Sequence, residues 1–284
     1  MQFDSFTFVL FFISVLVLFQ LAPNWKLQKM VLLFGSYLFY AAWSPPLVVL
    51  IWISTATDFV LARYLSAAEK PGRRRLLLLV SLLVNLGLLG YFKYAEFLMD
   101  SFAALIGSFG VVYVAPEFDI ILPIGISFYT FQTLSYTIDV YRKRIEATDN
   151  LLDFSLFVTF FPQLVAGPIM RAESLLPQFQ IPRKLKQPNL MLGLSLIAWG
   201  LFQKTVLADS LYSPLVDQYF AEPFTHGAAT AWLAVFSFSM QIYFDFSGYS
   251  LCAVGAAIVF GFALMDNFNA LRTQSIDATH SLNL

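Results

Sequence analysis

The chain has 284 residues, of which 58% are hydrophobic and 12% are charged, and its formal net charge is −1. Soluble domains carry about 25% charged residues, so this composition predicts an integral membrane protein. The small net charge gives no indication of nucleic-acid binding. The single cysteine, Cys252, excludes an internal disulfide and a cysteine metal cluster, and we interpret it as a small packing residue.

Apolar segments follow one another along most of the chain and predict an all-α, polytopic fold with about eight spanning helices plus re-entrant segments. No Lys or Arg precedes the first segment, so it is interpreted as a membrane helix rather than a signal peptide. Pro45-Pro46 marks a short turn between helices. The segments lie near residues 6–22, 30–43, 46–62, 76–92, 97–114, 119–138, 151–169, 190–207, 228–245 and 249–265.

Basic residues predict the orientation, because short cytoplasmic loops are enriched in Lys and Arg. Simple alternation of spans cannot bring all the basic clusters to one side. All the basic clusters can lie on one side if 97–114 and 151–169 are re-entrant segments that return to the side they start from. Both segments contain Gly or Pro residues that break helices. The N-terminus is then outside the cytoplasm, and Arg73 to Arg75 form a solvated cytoplasmic cluster. The basic residues concerned are Lys26, Lys29, Lys70 to Arg75, Arg142 to Arg144, Arg183, Lys184 and Lys186.

Hydroxyl side chains recur every three or four residues between Leu122 and Arg144 and share much of one helix face. They either line a tunnel or form hydrogen bonds between helices, as is common in membranes. Asp139 and Arg142 are predicted to pair at the end of this helix. Asn85 is interpreted as an interhelical hydrogen-bond anchor. The hydroxyl residues are Ser127, Thr130, Thr133, Tyr136 and Thr137.

The segment 160–171 reads FFPQLVAGPIMR. Pro162, Gly167 and Pro168 break regular helix and leave backbone groups that need partners, which favours a re-entrant turn over a kinked spanning helix. Gln163 and Arg171 supply polar groups at its ends. Arg171 either meets a phosphate group or extends to the interface as a positive-inside arginine.

Asp245 is the only Asp, Glu, Lys or Arg between Glu222 and Asp266, in a stretch long enough to cross a ~30 Å hydrocarbon core twice. A charge costs roughly 2.5–3.5 kcal/mol at the centre of a lipid-facing helix, so Asp245 is predicted to face a water-filled or protein-lined cavity. Gly248 is predicted to interrupt the helix beside it. The alternative is that Asp245 caps a helix beginning near Phe246.

Three of these segments, together with GSYLFYAAWSPP at 35–46, resemble the membrane-bound O-acyltransferase family, and in particular its bacterial, alginate-type branch that acetylates polysaccharides. They read LPIGISFYTFQTLSY at 122–136, FFPQLVAGPI at 160–169 and QIYFDFSGYS at 241–250. The resemblance extends from about Phe3 to Asn269. Residues 1–269 are therefore predicted to be the N-terminal part of an O-acyltransferase domain, and residues 270–284 a divergent tail.

The resemblance implies a multi-pass protein of the bacterial inner membrane that moves an acetyl group from a cytoplasmic thioester, acetyl-CoA or a related compound, toward a hydroxyl of an exported polysaccharide. It implies no bound cofactor or metal, and a periplasmic partner resembling an acetyltransferase or hydrolase. In the family a central His acts as the base within an intramembrane funnel. The residues expected to line the substrate tunnel are Asp245, Ser247, Gly248, Tyr249, Gln163, Pro168 and Arg171.

The chain also departs from the family pattern. It has Leu251-Cys252 where the family has Asp-Met, and the family's Trp-Arg-Arg-Trp-His helix is not present after Asn269. The family's central His corresponds to sequence beyond Leu284, so His280 is the one candidate base in the tail, the alternative being that it has no role. The chain is expected to be an incomplete, inactive part of such an enzyme. A non-catalytic membrane scaffold and a transporter are the alternative functions, although the chain shows none of the paired halves of many transporters. His226 is interpreted as an exposed loop residue.

Overall fold

A computed structural model of the chain describes residues 3–110, 113, 122–164, 167–221 and 227–265. Every regular element within these ranges is helical, which confirms the all-α prediction. Short 3₁₀ turns lie at Pro45–Leu47 and Leu176–Phe179, and a π-helix occupies Phe202–Tyr212. The α-helices are α1 Phe6–Leu21, α2 Trp25–Ala41, α3 Val48–Ala67, α4 Pro71–Ser108, α5 Ile126–Tyr141, α6 Leu151–Thr159, α7 Phe161–Leu164, α8 Ala172–Leu175, α9 Gln187–Leu201, α10 Ser213–Ala221 and α11 Ala228–Val259.

Local sequence signals explain where several helices begin. The side chains of Ser5, Asn24 and Asn150 accept hydrogen bonds from the first backbone amides of α1, α2 and α6, as N-cap residues do. Pro71 opens α4, at a position where a missing amide hydrogen costs nothing. Gly125, with φ of 73°, reverses the chain before α5.

The chain is a multi-pass membrane protein, but the expected number of spans is not confirmed. Among the described residues, four helical stretches have the length and composition to cross a membrane: 45–67, 71–108, 187–221 and 228–259. Helix α1 is apolar but has only 16 residues. The prediction of about eight spanning helices counted several segments that prove to be short or to belong to one longer helix.

Helix α4 joins two segments that the sequence analysis separated. Residues 76–92 and 97–108 belong to one helix of 38 residues, so the predicted re-entrant segment at 97–114 is wrong over its described part. Gly107 and Gly110 lie at the helix end, where Gly110 takes a φ of 79°. Without this segment, α1 to α5 alternate in direction, and the basic clusters near Lys26, Arg74 and Arg142 fall at one end of the bundle.

The other predicted re-entrant segment, 151–169, is supported by its contacts with α2. It begins where Lys29 forms a buried ion pair with Asp153. It reaches Ser36, whose hydroxyl accepts from the amide of Phe161 at 3.1 Å, and Ser36 lies about 10 Å beyond Lys29 along α2. The chain then returns to the start of α2, where the Trp25 indole donates to the carbonyl of Phe179 at 2.8 Å.

A buried polar network joins α3, α4 and α5. The Asn85 amide donates to the Asp58 carboxylate at 2.8 Å, and its oxygen accepts from Ser54 at 2.6 Å and from Thr133 at 3.3 Å. Ser81 also donates to Asp58. The prediction that Asn85 anchors neighbouring helices is therefore confirmed, and Thr133 takes the interhelical alternative rather than lining a tunnel.

The position of Arg74 shows that the prediction of a solvated cluster at Arg73 to Arg75 is wrong for this residue. Its side chain is buried and donates to the carbonyls of Leu65, Val140 and Tyr141, which end α3 and α5. The last carbonyls of a helix lack intrahelical partners, and a cation complements their partial negative charge. Its neighbours Arg73 and Arg75 are exposed as predicted.

The predicted pairing of Asp139 is also corrected. Asp139 lies 3.6 Å from the guanidinium of Arg144, so it pairs with Arg144 rather than with Arg142. The helix ends at Tyr141, and the turn that follows carries Arg144 back toward Asp139.

Helices α9 and α11 are antiparallel and touch through glycines. A Cβ on Gly200 would lie 2.6 Å from the carbonyl oxygen of Gly248, and one on Gly255 would lie 2.5 Å from that of Gly193. Small residues allow such close approach in membranes. The predicted break at Gly248 is therefore wrong: 228–245 and 249–259 form a single helix of 32 residues, and Gly248 is a contact point within it.

This packing predicts opposite effects for two Gly→Ala substitutions. Gly200→Ala should lower the thermal unfolding midpoint of the detergent-purified protein, because its Cβ meets backbone. Gly87→Ala, on a part of α4 with no atom within 4 Å of the added Cβ, should leave the midpoint unchanged or raise it, since Ala favours helix by up to about 1 kcal/mol. Equal midpoints for the two variants would contradict the close contact.

A second prediction concerns Arg74. Arg74→Gln should destabilise the protein by about 2–3 kcal/mol, because a charged donor to buried carbonyls is lost. Arg73→Gln removes the same charge from the same helical turn and should change stability by less than about 0.5 kcal/mol. Unfolding midpoints of both variants, with membrane orientation checked by protease accessibility, separate the buried contacts from the charge; similar midpoints would refute the role given to Arg74.

Candidate functional site

Asp245 belongs to a cluster of three charged side chains. The Lys204 ammonium lies 2.6 Å from the Asp245 carboxylate and 2.9 Å from that of Asp209. Asp245 lies in the interior of α11, so the alternative that it caps a helix at Phe246 is wrong. Its charge is offset by a lysine, and 49% of its side chain remains exposed.

The π-helix places Lys204 in this cluster. In an α-helix, residues five apart point in directions about 140° apart, whereas the wider π turn brings Lys204 and Asp209 onto one side. Ser210 similarly donates to the carbonyl of Thr205 at 2.7 Å, five residues earlier. Sequence reasoning missed Lys204, although it is the only Lys or Arg between 187 and 221.

The cluster lies toward the N-terminal end of α1. The Tyr249 ring, one turn from Asp245, packs against Phe3 with 5.2 Å between centroids, and Phe3 in turn packs against Phe39 near the end of α2. This end of the bundle is opposite to Trp25 and the basic clusters. Asp245 is therefore displaced from the bundle centre toward the side away from them.

The tip of the re-entrant segment forms a second polar site. The amide of Phe161 is used by Ser36, which leaves the Phe157 carbonyl without its helical partner. The side-chain amides of Gln132 and Gln163 donate to that carbonyl at 3.2 and 2.9 Å. The helix break thus creates the acceptor that fixes these two glutamines.

A small cavity adjoins this tip and is lined by one unsatisfied polar atom. The amide oxygen of Gln163 is buried with no hydrogen-bond partner among the described residues, whereas the buried hydroxyls of Tyr129 and Tyr40 interact with each other. Burying such an oxygen unpaired costs about 1–3 kcal/mol, so it marks a position for a hydrogen-bond donor. The lining residues are Phe128, Tyr129, Gln132, Val158, Gln163, Leu164, Pro168 and Ile169.

The predicted tunnel residues thus divide between two places. Gln163 and Pro168 line the re-entrant cavity, and the other predicted tunnel residues do not. Arg171 is exposed just before α8. Ser247 is buried in α11, and Gly248 contacts Gly200.

The remaining candidate residues do not contribute to either of these two sites. Cys252 is buried with its sulfur 3.6 Å from the carbonyl of Ile197, which confirms its packing role. His226 and His280 lie outside the described residues, so their predicted roles are untested. Asp58 was missed, although it is the only acidic residue in the stretch 45–67. Within the described ranges, no group of three or more His, Cys, Asp or Glu could hold a metal ion.

Comparison with known proteins settles the family. The profile of the membrane-bound O-acyltransferase family matches residues 76–281, which is most of the chain. The chain belongs to the membrane-bound O-acyltransferase family. The three quoted segments all fall within the matched range, so the resemblance inferred from them is confirmed.

Relatives place the chain in the alginate-type branch. It is 40% identical over 274 residues to the "Probable alginate O-acetylase AlgI" of Azotobacter vinelandii, covering 95% of this chain and 53% of the relative. The Pseudomonas aeruginosa protein of the same name is 39% identical over 273 residues, covering 95% and 51%. The "Peptidoglycan O-acetyltransferase" of Helicobacter pylori is 32% identical over 285 residues, covering 91% and 53%. The chain therefore spans about half the length of these relatives.

The charge cluster predicts unequal effects on stability. Lys204→Met leaves two carboxylates without their cation and should lower the unfolding midpoint more than Asp209→Asn, which keeps the Lys204–Asp245 pair. Adding Asp245→Leu to Lys204→Met should recover part of the loss, with a coupling energy of about 0.5–3 kcal/mol in the double-mutant cycle. Strictly additive effects would show that the two side chains do not interact.

Proposed function

We propose that this chain is part of an acetyltransferase that moves an acetyl group from a cytoplasmic thioester, acetyl-CoA or a related compound, to a hydroxyl of an exported polysaccharide. Membership of the O-acyltransferase family supports acyl transfer. Relatives named for alginate and peptidoglycan support a sugar polymer outside the cytoplasm as the acceptor. The reaction forms a carbon–oxygen bond to the acceptor and breaks the carbon–sulfur bond of the thioester, while the hydroxyl proton passes through a base to the leaving thiolate.

The re-entrant cavity is the observation that carries this proposal. Its tip reaches the interior of the bundle from the end that bears the basic clusters, as a site for a cytoplasmic donor requires. The Tyr129 hydroxyl, which lies beside that of Tyr40, is suited to donate to the thioester carbonyl, and the unpaired Gln163 oxygen to accept from a donor group of the substrate. Hydrogen bonds to a carbonyl that develops negative charge are a large term in acyl-transfer catalysis.

Asp245 supports an acceptor site at the opposite end. Carboxylates accept hydrogen bonds from sugar hydroxyls, and Asp209 and Asp245 lie together on the side away from the basic clusters. We assign them to positioning the acceptor, with Ser247 and Tyr249 on the adjoining turn of α11. The Lys204 ammonium lies against both carboxylates and offsets their negative charge.

The proposal also includes the membrane location, the orientation and a partner protein. The basic clusters favour a bacterial inner-membrane protein with its N-terminus outside and the donor site inside. A periplasmic acetyltransferase-like partner would receive the acetyl group or present the glycan. Because the chain spans about half the length of its relatives, transfer is proposed to need further sequence that supplies the base.

A chimera provides the test. Residues 1–269 are joined to the C-terminal half of the Azotobacter vinelandii relative and expressed in an alginate producer that lacks its own O-acetylase. We expect the chimera to restore alginate acetylation and the chain alone to restore none. Within the chimera, Tyr129→Phe should reduce acetylation about 10- to 100-fold per folded protein, and Asp245→Asn should also reduce it severalfold.

The controls are exposed residues of the same type. Tyr91→Phe lies on the exposed face of α4, and Asp217→Asn lies on α10 outside the cluster, so both should keep full activity. An inactive but folded chimera would favour the scaffold alternative. Full activity of Tyr129→Phe would remove the cavity from the mechanism, and full activity of Asp245→Asn would leave Asp245 an architectural residue.

A further inference from the structure

A second cavity, of about 630 Å³, opens between the end of α3 and the loop that follows α5. This volume falls within the ~300–1,000 Å³ typical of small-molecule sites. It shares no lining residue with the re-entrant cavity or the Asp245 cluster, so the proposed function does not use it. Its lining includes Val60, Arg63, Tyr64, Glu146 and Asp149.

The cavity lies at the level where the exposed surface changes from apolar to charged. The contacts already described between α3 and α4 make these helices antiparallel and set Arg63 level with Leu76. Leu76 is 60% exposed, and Leu79, one turn further into the bundle, is 53% exposed. On the other side of this level, Arg73 and Arg75 are exposed. Apolar surface thus gives way to charge near Arg63, as at a membrane–water interface.

An exposed apolar column on α3 leads to the cavity. Ile53 and Val60 are 43% and 47% exposed, and Ala56 is exposed between them. Residues three or four apart share one helix face, so these side chains form a continuous column. Tyr64 continues it at the cavity, and tyrosine is enriched at membrane interfaces. The acyl chains of a lipid lying along this column bring its headgroup to the cavity.

The polar lining of the cavity carries both signs of charge. The Arg63 Nε lies 3.1 Å from the Asp149 carboxylate, and the guanidinium carbon lies 5.5 Å from the ring centre of Phe59. These contacts hold the guanidinium and leave both of its Nη groups available for an anion. Glu146 is exposed and has no ion-pair partner among the described side chains. The cavity therefore offers donors for an anion beside carboxylate acceptors for a cation.

We propose that this cavity binds the headgroup of a phospholipid that carries both a phosphate and a primary ammonium, with its acyl chains along α3. Arginine donates paired hydrogen bonds to phosphate oxygens, and carboxylates accept from an ammonium. One arginine against two carboxylates leaves the lining net negative, so a headgroup with only negative charge is disfavoured. A headgroup without a phosphate leaves Arg63 unused. Phosphatidylethanolamine meets both requirements.

The lipid selectivity of the purified full chain tests the proposal. The chain is delipidated in a non-ionic detergent, and its unfolding midpoint is measured with added phosphatidylethanolamine or with phosphatidylglycerol of the same acyl chains. We expect phosphatidylethanolamine to raise the midpoint by several degrees more than phosphatidylglycerol does. This difference should disappear in Arg63→Gln and in Glu146→Gln. Both variants should fold, because exposed charges contribute little to stability.

Matched controls and a second measurement accompany these variants. Arg73→Gln and Glu69→Gln remove exposed charges near the cavity but outside its lining, so both should keep the difference between the two lipids. Native mass spectrometry should find one phosphatidylethanolamine retained by each wild-type chain and severalfold less retained by Arg63→Gln.

Three results would overturn the proposal. Equal stabilisation by the two lipids would mean that the headgroup is not selected. The same stabilisation by soluble phosphoethanolamine would identify a soluble ligand instead of a lipid. A difference that persists in Arg63→Gln and Glu146→Gln would place the lipid elsewhere on the protein. None of these results bears on acetyl transfer, which the chimera tests separately.

Discussion

A backbone in the hydrocarbon core must find its hydrogen-bond partners within the protein, because neither lipid nor bulk water supplies them. The described part of the chain meets this constraint in the same way at several helix ends and breaks inside the bundle. Ser36 takes the amide freed at Phe161, two glutamines take the carbonyl freed at Phe157, and Arg74 takes the carbonyls that end two helices. Side chains on one helix thus decide where another helix can stop. The re-entrant segment exists because α2 and α5 carry these partners at matching heights.

Charged side chains meet the same constraint in two different ways. Lys29 and Lys204 each face carboxylates, whereas Asp58 is fully buried among neutral donors, Ser81 and Asn85. Beside these paired groups lie the Gln163 oxygen, which has no partner among the described residues, and the Tyr129 hydroxyl, which faces only that of Tyr40. Their placement at a helix break, deep in the bundle, is what distinguishes the candidate donor site from the structural networks around it.

The sequence predicted what depends on local pattern. Hydropathy and prolines located α1, the turn before α3 and the broken segment near Pro162, and the basic residues gave a consistent orientation. Contacts between distant residues were not predictable. A glycine such as Gly248 can bend its own helix or allow another helix backbone to approach closely. Which of these occurs depends on whether a residue such as Gly200 lies opposite it in the fold. Likewise, Asp245 looked unpaired in the sequence because Lys204 is 41 residues away. The π-helix that brings Lys204 close to Asp245 could not be recognised from the sequence.

The start of the re-entrant segment and the chain that follows it, at Phe179, are both held by the first turns of α2, at Lys29 and Trp25. These contacts close a loop whose tip is held in addition by Ser36 and Gln132, so the conformational entropy of the loop is lost during folding rather than on substrate binding. A substrate that binds at the proposed donor site would meet protein groups that are already fixed in place. Little of the binding free energy would then be needed to order protein side chains, so more of it could stabilise the transition state relative to the bound donor.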